Sequence, residues 1–416
     1  MSVQISCPTY VKAVLDALHG AGYQAYIVGG CVRDSLLGNE PKDWDVTTSA
    51  LPEQTEQAAE AAGLKTFRTG IKHGTISVLS EGVTVECTTY RIDGAYKDSR
   101  HPESVKFTPS LEKDLARRDF TVNAMAAVHG ADGWEIMDPF EGQKDMNAGI
   151  IRCVGNPIKR FGEDALRILR GVRFAVRLGF EIEDKTANAM YACAGGLKSI
   201  SRERVREELM GILQSPDPEE AVKIMKKRGL LKHAFPYADV TDAVRDVNQT
   251  PADKPLFRLA YLLYNADEES VHKTTNDLKM SGADAGFVRT LLAFRAERLE
   301  ISPLYARQMI AKYGDLTLPA LALRTAKGED TTALAKLVAE QMRAGVCVKI
   351  SDLAVSGADL ASVGIPKGKE MGRILHALLD AVMQEPTKNT KEQLLLLAKQ
   401  IYEESITKEQ LCTESR

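Results

Sequence analysis

The chain alternates between two hydrophobic periods and then settles into one. Val11, Val14, Leu15 and Leu18 recur at the i, i+3, i+4, i+7 spacing of one helical face, and Gly20 and Gly22 close that stretch. An apolar run, Tyr26-Ile27-Val28, stops at Gly29-Gly30, and Cys31 to Leu37 opens a short helical pattern. A second helix is predicted over 52–62, ended by Gly63. Residues 73–79 and 83–90 alternate apolar and polar about Ser80-Glu81-Gly82, which predicts a β-hairpin. In its second arm Val83, Val85 and Cys87 share one face, and Thr84, Glu86, Thr88 and Tyr90 share the other. Residues 91–113 form a long polar loop, and 134–142 read as a short strand and a turn.

From about residue 146 the strand signals stop. Helical patterns follow over 158–178, 184–195, 202–214, 218–228 and 254–265, then in further pairs, and the polar last dozen residues from Ser405 are expected to fray. A β-containing head on an all-helical remainder predicts an α+β chain of separate domains. Junctions near Gly149, at Ser215-Pro216-Asp217-Pro218 and within 325–332 set the expected domains at 1–148, 149–215, 216–325 and 326–416. Composition adds little: 44% hydrophobic and 27% charged residues describe an ordinary globular protein. No apolar run approaches the ~20 residues of a membrane span, and the first residues lack a secretory signal pattern. The seven cysteines are scattered with no C-x-x-C pair, which gives neither a disulfide framework nor a zinc site. A cytoplasmic chain with no membrane partner is expected. The formal net charge of −3 argues against a large nucleic-acid surface but leaves room for a local basic groove.

Four stretches carry candidate chemistry. Glycines at 29 and 30 let backbone approach a ligand where a Cβ would clash, and a following helix start presents free N–H groups to a phosphate. If Trp44-Asp45-Val46 is extended, Asp43 and Asp45 point to one side, and two adjacent carboxylates suit a divalent metal. Glu86 lies in the same expected sheet and is a candidate third ligand. Arg117-Arg118-Asp119, leading to Asn123, is either a surface ion-pair cluster or a clamp for triphosphate or ribose. On one helix Asp164, Arg167, Arg170 and Arg173 are spaced by three. The plain reading is an amphipathic helix with an internal Asp164–Arg167 ion pair. The chemical reading is base selection. Cytosine and adenine both present an amino donor beside a ring-nitrogen acceptor, which a carboxylate and a guanidinium match, whereas uracil and guanine present the reverse. Arg170 and Arg173 would then hold phosphates.

Taken in order, GGCVRD with DWD, VECTTYR, RRDFTVNA, EDALRILRGVRF and SRERVREEL resemble the motifs of class II tRNA nucleotidyltransferases, the CCA-adding enzymes, a set largely shared with bacterial poly(A) polymerases. These motifs cover the first half of the chain. The second half, including Val355 to Leu360 and 372–397, resembles the body and tail of the shorter, Gram-positive-type members. The resemblance implies a polymerase-β-like head, a small mixed sheet with helices, followed by an all-α neck (149–215) for base recognition, a body, and a tail that binds tRNA. It implies two Mg²⁺ ions on Asp43 and Asp45, with CTP and ATP as substrates. Nucleotide contacts are expected from Gly29, Gly30, Arg33, Arg118, Asn123, Asp164, Arg167, Arg170 and Arg173, with Asp119 reading the ribose. It implies CCA addition and repair at tRNA 3′ ends without a template. The loop at 91–110 corresponds to the family's element for switching from C to A. With no His-Asp doublet, the phosphohydrolase domain of longer relatives is not expected. Lys388, Lys391 and Lys399 are candidate tRNA backbone contacts, and the chain is expected to be a monomer or homodimer. The alternatives are a poly(A) polymerase or a CC- or A-adding relative, and, in another class, a non-catalytic RNA-binding protein on the same fold.

Overall fold

A computed structural model of the chain describes residues 4–94, 105–130 and 133–414. The chain divides into two compact units, Met1–Arg258 with Asn265–Met280, and Leu259–Tyr264 with Ser281–Arg416.

The first unit begins with α1 (Thr9–Gly20), whose Val11, Val14, Leu15 and Leu18 are all buried, as their spacing predicts. The strands β1 (Ala25–Val28), β2 (Asp45–Thr48), β3 (Lys65–Gly70), β4 (Thr75–Ser80) and β5 (Val83–Thr89) follow, with α2 (Gly30–Leu36) and α3 (Pro52–Ala61) between them. The hairpin β4–β5 turns on Glu81 and Gly82, both at positive φ (49° and 80°), the backbone that a two-residue turn needs to match strand twist. β6 (Arg91–Asp93) pairs with β7 (Val105–Phe107) inside the stretch read as loop, and α4 (Leu111–Ala116) closes it. The middle of that stretch, residues 95–104, lies outside the described residues. After it come β8 (Ala126–Gly130), β9 (Gly133–Met137) and α5 (Gly142–Ala148).

Seven strands join in the order β3-β4-β5-β2-β1-β8-β9. All neighbours are antiparallel except β2 with β5, so the sheet is mixed. One face packs on α1 and α3 through Ile27, Val46, Ile76, Val78, Val85 and Cys87. The strands β3 and β8 had no clear signal: β3 is mostly exposed, and β8 is short and rich in alanine.

Beyond the sheet, β10 (Ile150–Ile151) pairs with β11 (Glu181–Ile182), too short for a periodicity to betray. The single helix expected over 158–178 is two, α6 (Pro157–Glu163) and α7 (Leu166–Leu178). Asp164 breaks them, with extended backbone and its carboxylate accepting the Leu166 N–H at 3.0 Å. An Asp side chain that can satisfy a helix's first N–H competes well with helix continuation. α8 (Asp184–Cys193) and α9 (Arg202–Leu213) follow, and α9 packs on α7.

Among its described residues the second unit is helical throughout. Its C-terminal core gathers Leu353, Val355, Leu360, Ile374, Leu378, Val382 and Leu394. Ser356 and Asp359 form a reciprocal capping box. Buried Arg307 donates to the carbonyl of Met383 and to Gln341, at 2.6 and 2.7 Å, and so closes the end of the helix Lys369–Gln384. The last helix, Lys391–Glu414, runs past Ser405, where fraying was expected; Glu, Lys, Gln and Leu sustain it.

Gly142 is the tightest backbone contact of the head. A Cβ there collides with the Thr121 carbonyl and the Met125 side chain. Gly142→Ala should therefore cost about 1–3 kcal/mol. Urea unfolding followed by tryptophan fluorescence will report it, since both tryptophans, Trp44 and Trp134, lie in this unit.

Candidate active site

The face of the sheet turned away from α1 and α3 carries the acids. Trp44 and Val46 are buried while Asp43 and Asp45 are exposed, so the alternation aims both carboxylates to one side. The parallel register sets Asp45 opposite Glu86. Although Asp45 keeps solvent-exposed surface, the protein packed around its carboxyl displaces enough water to lift it above its ordinary value; Arg118 pulls it down, and Glu86 and Asp43 push it further up. Three acids answered by one guanidinium make a spot short of positive charge, which suits a hard divalent cation on oxygen ligands. Among the described residues no group of three His, Cys, Asp or Glu side chains is already arranged to hold a metal ion. The fit to Mg²⁺ therefore rests on the Asp43–Asp45 pair, with Glu86 adding to the field.

Arg118 is held from beneath. Asp114 of α4 is fully buried, receives Arg117 Nε at 2.9 Å and the Arg91 N–H at 3.2 Å, and lies 3.6 Å from Arg118. Burial opposes its charge, but Arg117 and Arg118 outweigh this and hold the carboxyl below its ordinary value. The Arg118 guanidinium lies against Gly29, at φ 83°, where a Cβ would approach it to 2.9 Å. Its Nε is buried with no hydrogen-bond partner among the described residues. A buried guanidinium donor beside bare backbone is an arrangement that accepts phosphate oxygen. Gly29 is thus needed twice, for its backbone angle and for the space.

A charge network runs from this cradle to α7. Asp119 accepts from Arg170 Nε at 2.8 Å, from Asn123 at 3.2 Å and from the Phe120 N–H at 2.8 Å. Burial resists its ionisation, yet Arg170 and these hydrogen bonds hold the carboxyl down to about 2. Asn123 accepts from Arg33, which also grips Asp34 at 2.7 Å. Arg33, expected among the nucleotide contacts, is 3% exposed and braces Asn123 and Asp34. Arg173 pairs with Glu208 of α9 at 2.7 Å, and Arg170 lies 3.6 Å from the same carboxylate. The guanidiniums of Arg33, Arg170 and Arg173 all lie within 4.7–5.2 Å of the Phe174 ring centroid, a cation–π contact for each. Arg170, 34% exposed, is the most accessible of the three.

The plain reading, an ion pair between Asp164 and Arg167 within one helix, does not hold. Because the helix breaks at Asp164, that carboxylate faces α9 and pairs with Arg204 at 2.8 Å. Arg167 pairs with Glu163 at 2.9 Å and donates to the carbonyls of Arg160 and Arg117. The bond to Arg117 ties α7 to the residue beside Arg118. The partners of Asp164 and Arg167 were not singled out from sequence. Arg204 and Glu208 are four apart, a spacing that also fits an internal helix pair; Arg204 reaches the break at Asp164 and Glu208 reaches α7 instead. Glu163, Asp114 and Phe174 were likewise passed over. Lys388 pairs with Glu385 and Lys391 with Asp359, while Lys399 is exposed.

A mixed sheet bearing an acidic strand beside a glycine-backed arginine cradle is the head of a nucleotidyltransferase. Residues 25–152 match the family model described as poly A polymerase head domain. Residues 179–241 match "Probable RNA and SrmB- binding site of polymerase A", and residues 256–398 match tRNA nucleotidyltransferase domain 2. The CCA-adding enzyme of Lactiplantibacillus plantarum is 34% identical over 401 residues, covering 94% of this chain and 95% of the relative. That of Streptococcus thermophilus is 34% identical over 398 residues, covering 92% and 94%. The crystal structure of the Bacillus stearothermophilus CCA-adding enzyme in complex with CTP superposes with a TM-score of 0.80 at 30% identity, over 97% of this chain and 98% of that one. The fold also matches the Thermotoga maritima CCA-adding enzyme complexed with tRNA, at a TM-score of 0.66 and 22% identity, over 96% and 99%. The chain belongs to the family of CCA-adding enzymes and is a tRNA nucleotidyltransferase. No helix among the described residues is long and apolar enough to cross a membrane.

The Asp119 carboxyl is depressed in the folded state, so it adds stability at pH values above the unfolded value near 4, and that contribution is lost as pH falls towards 2. Asp119→Asn should therefore lower unfolding free energy by about 2 kcal/mol at pH 7, and the gap should narrow between pH 4 and 2. Urea titrations across that range check the sign.

Proposed function

We propose that this enzyme adds C, C and A in turn to the 3′ end of tRNA, from CTP and ATP, without a nucleic-acid template. The observation that carries the reading is that Arg118 lies against Gly29 and acts electrostatically on Asp45, while its neighbour Arg117 is bonded to Arg167 next to Asp164. This arrangement joins acids suited to a metal, a phosphate cradle and a donor–acceptor pair within one compact unit.

In the reaction the 3′-hydroxyl oxygen of the RNA loses its proton to solvent and bonds to the α-phosphorus of the nucleotide, and the bond from that phosphorus to the bridging oxygen breaks, releasing pyrophosphate. Asp43 and Asp45 would hold Mg²⁺, which when bound supplies Lewis acidity for the attacking hydroxyl and the departing pyrophosphate. Arg118 and Arg170, with the backbone at Gly29-Gly30, neutralise the triphosphate, and Arg173 is turned towards Glu208 and supports them. Asp119 and Asn123 face the ribose, with Arg33 bracing Asn123. Asp164 accepts from the base's amino group while Arg167 donates to its ring nitrogen. Arg204 and Glu163 fix these two side chains before substrate arrives, so a mismatched base leaves buried groups unpaired, which in such sites discriminates by up to about 10⁴–10⁵. We assign residues 1–148 to the catalytic head and 149–215 to base selection. Residues 216–325 and 326–416 form a helical body and tail that grip tRNA by shape and backbone.

A tRNA transcript lacking its last three nucleotides, offered each nucleotide alone and then together, should gain two C residues from CTP and the final A only after them. Runs of A would instead make the protein a poly(A) polymerase. Asp45→Asn should cut turnover by at least about 100-fold, leave tRNA binding near wild type, and melt no lower than wild type, since it removes a charge that its neighbours disfavour. Arg167→Ala should admit U and G before it stops incorporation, which single-nucleotide competition assays will measure.

A further inference from the structure

The strand pairings carry the acid row further than the acids. Asp45 stands opposite Glu86, Glu86 opposite Ser77, and Ser77 opposite Phe67. Residues opposite one another in a sheet share a face, so Phe67 lies on the face of Asp45, three strand spacings or about 14 Å away. It is 48% exposed, on the edge strand that follows the core-packed Leu64. Lys65, two residues earlier on the same face, is also exposed. A half-exposed phenylalanine beside a lysine, in line with a catalytic acid, is not required by the packing of the head.

The chemistry decides which substrate passes there. Gly29, Gly30 and Arg118 flank Asp45 on the β1 side. Phosphoryl transfer runs in line, with the attacking oxygen opposite the leaving group. With pyrophosphate departing towards the β1 side, the RNA hydroxyl arrives over β5, β4 and β3. An unstacked strand advances roughly twice the ~3.4 Å of a stacked one per nucleotide, which sets Phe67 about two nucleotides behind the reacting end.

We propose that Phe67 is a stacking platform for a nucleobase near the 3′ end of the acceptor RNA, with Lys65 taking the adjacent phosphate. The inference rests on the nucleotidyl-transfer reading above. Base–aromatic stacking tolerates any base because each has a π-face, which suits a site whose occupant changes from the tRNA's own end to C as addition proceeds.

The test uses the full chain, a labelled acceptor RNA, and the same RNA with an abasic nucleotide second or third from its 3′ end. Phe67→Ala should weaken binding of the intact acceptor about tenfold, raise its KM, and leave the KM for CTP unchanged. Phe67→Tyr and Phe67→Trp should bind like wild type. The abasic acceptor should bind wild type as poorly as the intact one binds Phe67→Ala, with no further loss in the combination. Equal losses on intact and abasic RNA, an unchanged affinity, or a change confined to the CTP KM or to self-association in sedimentation would each overturn the proposal. A wild-type enzyme that fails to extend tRNA would sink the underlying reading, whereas normal extension by wild type and Phe67→Ala alike would sink this inference alone.

Discussion

The ion pair between buried Asp119 and half-buried Arg170 is the constraint on which the rest of the site depends. It ties the loop after α4 to the middle of α7 and sets the distance between the sheet that carries the acids and the helix that carries the arginines. A charge pair removed from water is costly unless every remaining lone pair and proton finds a partner. Here Asn123 and the Phe120 N–H take Asp119, and Glu208 and the Phe174 ring take Arg170. The network is satisfied in the absence of substrate, so its guanidiniums are aligned in advance. Such alignment lowers the reorganisation needed when a triphosphate enters.

The same logic recurs one layer out. Asp114 does for Arg117 and Arg118 what Asp119 does for Arg170, and Arg204 and Glu163 do it for Asp164 and Arg167. Arg170, Arg173 and Asp164 each have a partner of opposite charge on a different element, whereas Asp114 holds Arg117 and Arg118 from the turn just before them. Removing such a partner should therefore disturb the site through geometry, without touching substrate. Phe174 adds a second kind of support, because three guanidiniums sharing one ring repel one another less than they would in open apolar surroundings. The sheet face beyond Glu86 is organised differently: past the buried Ser77 it carries the half-exposed ring of Phe67 and exposed Lys65.

The chain's own order of residues determined much of this. Periodicity alone placed α1, α3, the β4–β5 hairpin and the helices from 184 to 228, because each buries one regular face. The alternation about Trp44 aimed Asp43 and Asp45 the same way, and the motif order identified the family. What only the tertiary structure decided were the elements and partnerships without a local signature. β3 and β8 lack an alternation strong enough to read, and β10 and β11 hold two residues each. The break at Asp164 follows from a single side chain capturing the next helix's first N–H, a competition that spacing does not register. Arg204 and Glu208 sit at a spacing that fits a pair within their own helix, so which partner each takes was settled by the packing of α9 against its neighbours. A helical period determines which residues share a face. Which charge lies opposite that face depends on contacts distant in sequence, and those exist only once the chain has folded.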